Sequence, residues 1–212
     1  MLLALDTATA VVTVAVADGE RILAQRSTVD ARRHGELLAP AINDVLAEAG
    51  VDRRELTEVA VGVGPGPFTG LRVGLVTALT LGVTLGVPVE GVCTLDALAL
   101  QAADAGLDGE FRVVTDARRK EVHWAAYTTA GGLRRVDGPH VERPASAAWP
   151  GPAVGAGAVM YAADFPGARG PEHPSAAWLA VWVARGLPLL PPEPIYLRRP
   201  DAVEPGARKP VL

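Results

Sequence analysis

The stretch that decides the fold is "AVGVGPGPFTGLRVGLVTALTLGVTLG", residues 60–86: an apolar run, a corner rich in glycine and proline, then a long uncharged segment apart from Arg72. The corner comprises Gly64, Pro65, Gly66, Phe68, Thr69 and Gly70 and turns a strand into a helix. Such a turn can aim backbone N–H groups at an anion. A phosphate loop of the Walker kind, however, requires a lysine after its last glycine, and Gly70 is followed by Leu71, Arg72 and Val73. The dinucleotide pattern G-x-G-x-x-G is met only at Gly64 and Gly66, with Thr69 in the last place. The corner is therefore read as structural, with glycine for positive φ and proline for fixed φ. In the helix, which should run from about Thr69 to Gly86, small residues recur every four positions: Gly70, Gly74, Ala78, Gly82 and Gly86. Each interior glycine costs about 0.5–1 kcal/mol relative to alanine, so something must approach this ridge closely, and a neighbouring helix is the natural candidate.

Upstream, "LLALDT" (2–7), "AVVTVAVA" (10–17) and "RILAQRS" (21–27) read as a three-stranded meander. Leu37, Leu38, Ala41, Ile42, Val45, Leu46 and Ala49 form a helical stripe stopped at Gly50, with Pro40 expected to kink the helix or mark its beginning. Downstream come a strand at "PVEGVCT", a helix at "LDALALQAAD", and strands at "FRVVTDA" and "EVHWAAYT". The order β-β-β-α-β-α, then more strand and helix, defines an α/β chain with a mixed sheet. The second half is richer in glycine and proline; it offers a short apolar stretch, "AVGAGAV", a last helix over about 174–185 with Trp178 and Trp182 on one face, and a proline-rich tail expected to run extended over the surface. The residues show no clear internal repeat. A division near 107 gives an N-terminal lobe, 1–107, and a smaller C-terminal lobe, 108–212, carrying the tail.

With 212 residues and 49% hydrophobic content the chain can bury a substantial core. Its net charge of −4 excludes a global field attracting nucleic acid or an anionic membrane, so any RNA contact must be local or made through a complex. A single cysteine, Cys93, excludes an internal disulfide and fits a reducing compartment; the cytoplasm is the expected location. Residues 73–89 carry no charge, but threonines, three glycines and Pro88 interrupt them, and no membrane span is expected. The histidines, His34, His123, His140 and His173, are scattered without metal-ligand spacing, so no metal site is expected. Asp6 and Thr7 lie in the turn of the first hairpin, where an acid either caps the turn or serves a site.

A half-domain of this order opening on an Asp-Thr turn resembles the actin, sugar kinase and heat-shock ATPase superfamily, whose first hairpin holds phosphate and a metal-bound water. Here Thr7, Ala8, Thr9 and Ala10 follow the aspartate where that superfamily has a nearby glycine, so the phosphate loop reads as degenerate. More specifically, "LALDTAT", "RRHGELLAPAINDVLAEAG", the stretch from Ala60 through "GVCTLDALA", "TDARRKEVHWAAY" and "EPIYLRR" are similar, in order, to the TsaB (YeaZ) family of bacterial tRNA threonylcarbamoyladenosine synthesis. The resemblance is dense over 2–128 and thin beyond. It implies a two-lobed actin-like (ribonuclease H-like) fold with mixed sheets flanked by helices and a reduced second lobe. It implies a non-catalytic partner of the catalytic subunit TsaD, which receives threonylcarbamoyl as an adenylate from TsaC and transfers it to the adenosine beside the anticodon, with the ATPase TsaE as third partner. On this reading tRNA is met only through the complex, no cofactor is bound tightly, and ATP or ADP belongs only to the complex; self-dimerisation of the free chain is left open. The expected partner surface is the two early helices: His34, Leu37, Leu38, Ala41, Ile42 and Val45 on the first, Gly70, Gly74, Leu75, Ala78 and Leu79 on the second. The alternative is an enzyme in its own right, an ATP-dependent phosphotransferase or a peptidase of the same fold.

Overall fold

A computed structural model of the chain describes residues 1–198. Strands β1 (Leu2–Asp6), β2 (Val11–Asp18) and β3 (Arg21–Val29) form an antiparallel meander, after which α1 (His34–Ala49) leads to β4 (Glu58–Gly62) and α2 (Phe68–Leu85) leads to β5 (Val89–Val92). β4 joins β1 in parallel and β5 joins β4, so the sheet has the order β3-β2-β1-β4-β5. Helix α3 (Thr94–Asp104) then enters a second sheet. There β6 (Glu110–Asp116), β7 (Val122–Thr128) and β8 (Arg134–Glu142) form another antiparallel meander, and β9 (Pro152–Val154) and β10 (Gly167–Arg169) add in parallel, giving β10-β9-β6-β7-β8.

The two sheets thus share one topology, a repeat that the side chains conceal. Its residual marks are few: the first strand of each meander ends at an aspartate, Asp6 or Asp116, and Ala-Val-Gly ends β4 at 60–62 and runs from β9 into its following turn at 153–155. The second lobe is reduced, as expected: residues 143–151 replace the helix corresponding to α1, and α4 (Ala156–Met160) has 5 residues against the 18 of α2. The 143–151 segment is fixed to its sheet by Arg112, whose guanidinium lies 4.2 Å from the Trp124 ring and 5.0 Å from that of Trp149 and donates to Ala147 O at 2.7 Å.

Side-chain size sorts the two faces of the first sheet. Leu3, Leu5, Val12, Val14, Val16, Val59 and Val61 pack under α1 and α2, whereas Ala4, Ala15, Ala17 and Ala60 point to the other side. The alanine face lets a helix come close, and the helix that does so is α5 (Ala176–Ala184), with Ala176, Leu179, Ala180 and Trp182 buried on it and the Ala176 N–H donating to Thr13 Oγ1 at 2.9 Å. Helix α3 instead spreads Leu95, Leu98 and Ala102 over Phe111, Val113 and Tyr127 of the second sheet. The helix that follows the first sheet therefore covers the second, and the helix that ends the second half covers the first.

Two local expectations change. α1 begins at His34 and continues through Pro40, which occupies an exposed position in the helix, so the proline does not mark its start. The strands β8, β9 and β10, absent from the sequence reading, are a polar edge and two three-residue segments, too short or too exposed to show periodicity. Beyond α5 the chain runs extended: Leu190 exchanges backbone hydrogen bonds with Gly91 at the β5 edge, and the Ile195 N–H donates to Val63 O at 2.9 Å. Residues 199–212, the rest of the expected tail, lie outside the described residues.

Candidate functional site

The first hairpin is closed by its own neighbours. Asp6 is fully buried; its Oδ1 accepts the Ala8 N–H at 2.6 Å and its Oδ2 accepts the Thr94 hydroxyl at 2.7 Å, tying the turn to the start of α3. Burial pushes the Asp6 carboxyl up to about 6, against the pull of those hydrogen bonds. Thr7 enters the hydrogen-bond ladder of α2: its hydroxyl donates to Gly70 O at 2.7 Å and accepts the Gly74 N–H at 2.9 Å, standing between two groups that would otherwise pair directly. On the far side of the turn, His34 Nε2–H donates to Thr9 O at 2.8 Å.

The corner is built to permit this closure. Gly64 has φ +90°, and a Cβ on Gly66 would lie 1.9 Å from Ala8 O. Phe68 and Thr69, at the first turn of α2, are exposed. The Asp6 and Thr7 side chains are spent on the turn's own backbone and on α2 and α3. Among the described residues no group of three or more His, Cys, Asp or Glu is placed to hold a metal ion.

The expected partner surface requires correction. The small ridge of α2 faces inward: a Cβ on Gly70 would lie 2.7 Å from Thr7 O, one on Gly74 2.5 Å from Thr7 Oγ1, and one on Gly82 2.3 Å from Val89 Cγ2. Ala78 and Leu75 are buried in the same layer, as are Leu38, Ile42 and Val45 of α1, with Leu37 and Ala41 partly buried against it. His34 is also buried. The side chains of Leu38, Ile42, Val45, Leu75 and Ala78 are therefore spent on their own sheet; Leu37 and Ala41 stay partly exposed, and of the expected set only Leu79 is an exposed large hydrophobic side chain.

What α2 turns outward is a different stripe, at steps of four, four, three and four: Phe68, Arg72, Val76, Leu79 and Val83. The apolar members are 42%, 62%, 41% and 87% exposed, respectively. At its N-terminal end the Arg72 guanidinium lies 3.7 Å from the Phe68 ring centre, Tyr196 stacks on the same ring at 5.3 Å, and Arg72 Nε donates to the Tyr196 hydroxyl at 3.0 Å. α2 is long and apolar enough to cross a membrane, but its small face is sealed against β1 and β5, and it is a layer of the fold rather than a span.

A second hairpin, between β6 and β7, carries the basic run of the sequence. Arg118, Arg119 and Lys120 all adopt left-handed backbone, with φ of 61°, 57° and 60°. Each non-glycine residue in that region costs roughly 1–2 kcal/mol. The turn is held by Asp116 Oδ1, which accepts the Arg118 N–H at 2.8 Å, and by Arg198, which donates to Ala117 O at 3.0 Å and pairs with Glu121. Arg118 reaches the cleft between the lobes, where it shares a pocket with Thr9, Arg32, His34, Pro67 and Thr69.

Fold and site together define a class: a duplicated α/β fold whose first hairpin is closed by internal hydrogen bonds and whose second helix bears an exposed apolar stripe. A family model described as TsaD, tRNA N6-adenosine threonylcarbamoyltransferase, matches residues 21–170. The solved YeaZ from Pseudomonas aeruginosa is 31% identical, with a TM-score of 0.79 over 92% of this chain and 99% of that one. The tRNA threonylcarbamoyladenosine biosynthesis protein TsaB of Bacillus subtilis is 30% identical over 62% of this chain and 57% of its own length; an uncharacterized Mycobacterium tuberculosis protein is 46% identical over 94% and 92%. The chain belongs to the TsaB/YeaZ family.

Proposed function

We propose that this chain serves threonylcarbamoyladenosine synthesis on tRNA as a partner subunit that binds and activates a TsaD-type transferase and has no catalysis of its own. The observation that carries the reading is the exposed stripe Phe68, Val76, Leu79 and Val83 on α2. A large apolar stripe on a helix otherwise locked into its sheet calls for a partner helix. The match to the TsaD family model argues that the partner has the same fold and so offers an equivalent helix. The shut first hairpin supports the absence of catalysis, since Asp6 and Thr7 are committed to internal hydrogen bonds. A TsaE-type ATPase completes the assembly, and ATP or ADP enters with the complex.

The test is co-purification of this chain with a TsaD homologue from the same organism, with Val76→Asp and Val83→Asp introduced together. Expected are loss of the complex and of tRNA modification by at least tenfold, with the melting temperature of the isolated chain within a few degrees of wild type. A complex that survives both substitutions overturns the assignment of the surface. ATP turnover or peptide cleavage by the isolated chain, lost in Asp6→Ala with folding intact, would favour the independent enzyme instead.

A further inference from the structure

We infer that this subunit itself contacts RNA, through a basic track running from the cleft between the lobes over the β6–β7 hairpin to the groove behind it, and that the track receives the phosphate backbone of the tRNA. The inference rests on the proposed function for its choice of polyanion. The hairpin divides its cations between two depressions. Arg118 lines the inter-lobe pocket, of about 270 Å³, beside Arg32. Arg119 and Lys120 line a wider groove of about 720 Å³ with Arg143 and Tyr161. Three successive left-handed residues produce this division, because that backbone sends neighbouring side chains around a tight coil instead of along one face. A strained run retained in cationic residues, where glycine would fit without strain, points to a role for the charges.

Among the described residues the surrounding charges leave the track positive. Arg33 pairs with Asp30 at 2.7 Å and Arg118 with Asp116 at 3.4 Å, Glu121 is taken by Arg198, Asp164 lies on the wall of the wider groove, and Glu172 lines a small cavity beside Arg118. Arg32, Lys120 and Arg143 are exposed and make no ion pair among the described residues. On a chain of net charge −4, Arg32, Lys120 and Arg143, without an ion pair among the described residues and gathered around one hairpin, are a local exception to the overall field. Their spread over two adjoining depressions suits a chain of phosphates better than one small anion. Tyr161, partly buried on the groove wall, offers a ring to an unstacked base.

The experiment is tRNA binding across a salt series by the complex with the TsaD homologue, and by this chain alone at low salt. The wild type is compared with Arg32→Gln, Lys120→Gln and Arg143→Gln combined, and with a control of equal charge change, Arg21→Gln, Arg54→Gln and Arg134→Gln. Expected for the track variant are a loss of affinity of at least tenfold, a dependence of log K on log salt shallower by about 2, and undiminished binding to the TsaD homologue; the control should follow wild type. Equal affinity and equal salt slope for wild type and track variant overturn the inference, as does an equal loss in the control. If no complex with the TsaD homologue forms, the proposed function fails, and the chain-alone arm still decides: loss of its low-salt binding in the track variant only sustains the inference, whereas no binding by the wild type ends it.

Discussion

Asp6 and His123 are buried ionisable groups whose effects on stability oppose each other over one pH range. Burial raises Asp6 from 3.8 to about 6, so the folded chain holds that proton where the unfolded chain has released it. The corresponding stability is complete below about pH 4 and lost as pH rises through 6, an amount on the order of 3 kcal/mol. Burial lowers His123 from 6.5 to about 4, only partly offset by Asp116, and its Nδ1 has no hydrogen-bond partner among the described residues. Its contribution is present above pH 6.5 and lost as pH falls through 4, again on the order of 3 kcal/mol. Urea midpoints measured from pH 4 to 7 should therefore separate the variants: relative to wild type, Asp6→Asn loses stability toward acid and His123→Gln loses it toward neutrality. Curves parallel to wild type for both would refute the assignment. At the second hairpin, Lys120→Gly should relieve left-handed strain and stabilise the chain by about 1 kcal/mol while weakening tRNA binding, a trade readable by thermal melting beside a binding assay. The Asp-Thr turn was legible in the sequence as a cap or a site. His123 was not, because a lone histidine in an apolar strand has no spacing to announce whether it is buried.

α2 illustrates what periodicity carries and what it omits. Steps of four in Gly70, Gly74, Ala78 and Gly82 identify one face as small, and the glycine cost implies a close neighbour, but the pattern is the same whether that neighbour is the chain's own sheet or another molecule. The opposite stripe is apolar too, so the helix is hydrophobic nearly all round, and its two faces can be assigned only once the position of the sheet is known. Gly74→Ala should lower stability by about 1–3 kcal/mol, since the added methyl meets Thr7 Oγ1 at 2.5 Å. Thr7→Val should cost about 1–2 kcal/mol through the hydroxyl inserted between Gly70 and Gly74, with Thr7→Ser close to wild type. Denaturant unfolding of the isolated chain checks both; a wild-type midpoint in Gly74→Ala would mean that the ridge is not packed as described. β1, β2 and β4 were legible because apolar runs between turn signals mark strands buried on both faces. β9 and β10, three residues each, are held by register with β6 and with each other, and such long-range pairing leaves no local trace.

Across the whole molecule, the sequence conveyed the order of elements as far as β7, together with α5, but not the duplication, since two copies that share a topology need share only the few side chains their turns demand. Nor did it convey the exchange of α3 and α5, for nothing in an apolar helix says which sheet it will cover. That exchange has a consequence for the order in which the chain is made. Residues 1–92 contain the entire first sheet, yet its alanine face, with Ala4, Ala15, Ala17 and Ala60, is not covered until residues 176–184 have been synthesised. A nascent chain leaving the ribosome in sequence order must keep that apolar face shielded while some eighty further residues emerge, and the first lobe cannot complete its folding before the second has been translated. Chains ended before residue 174 should accordingly bind a hydrophobic dye and aggregate, and a separately supplied segment containing α5 should restore protection of β1 and β2 amides from hydrogen exchange. A soluble, exchange-protected first lobe ending at residue 107 would show that its folding does not wait for α5.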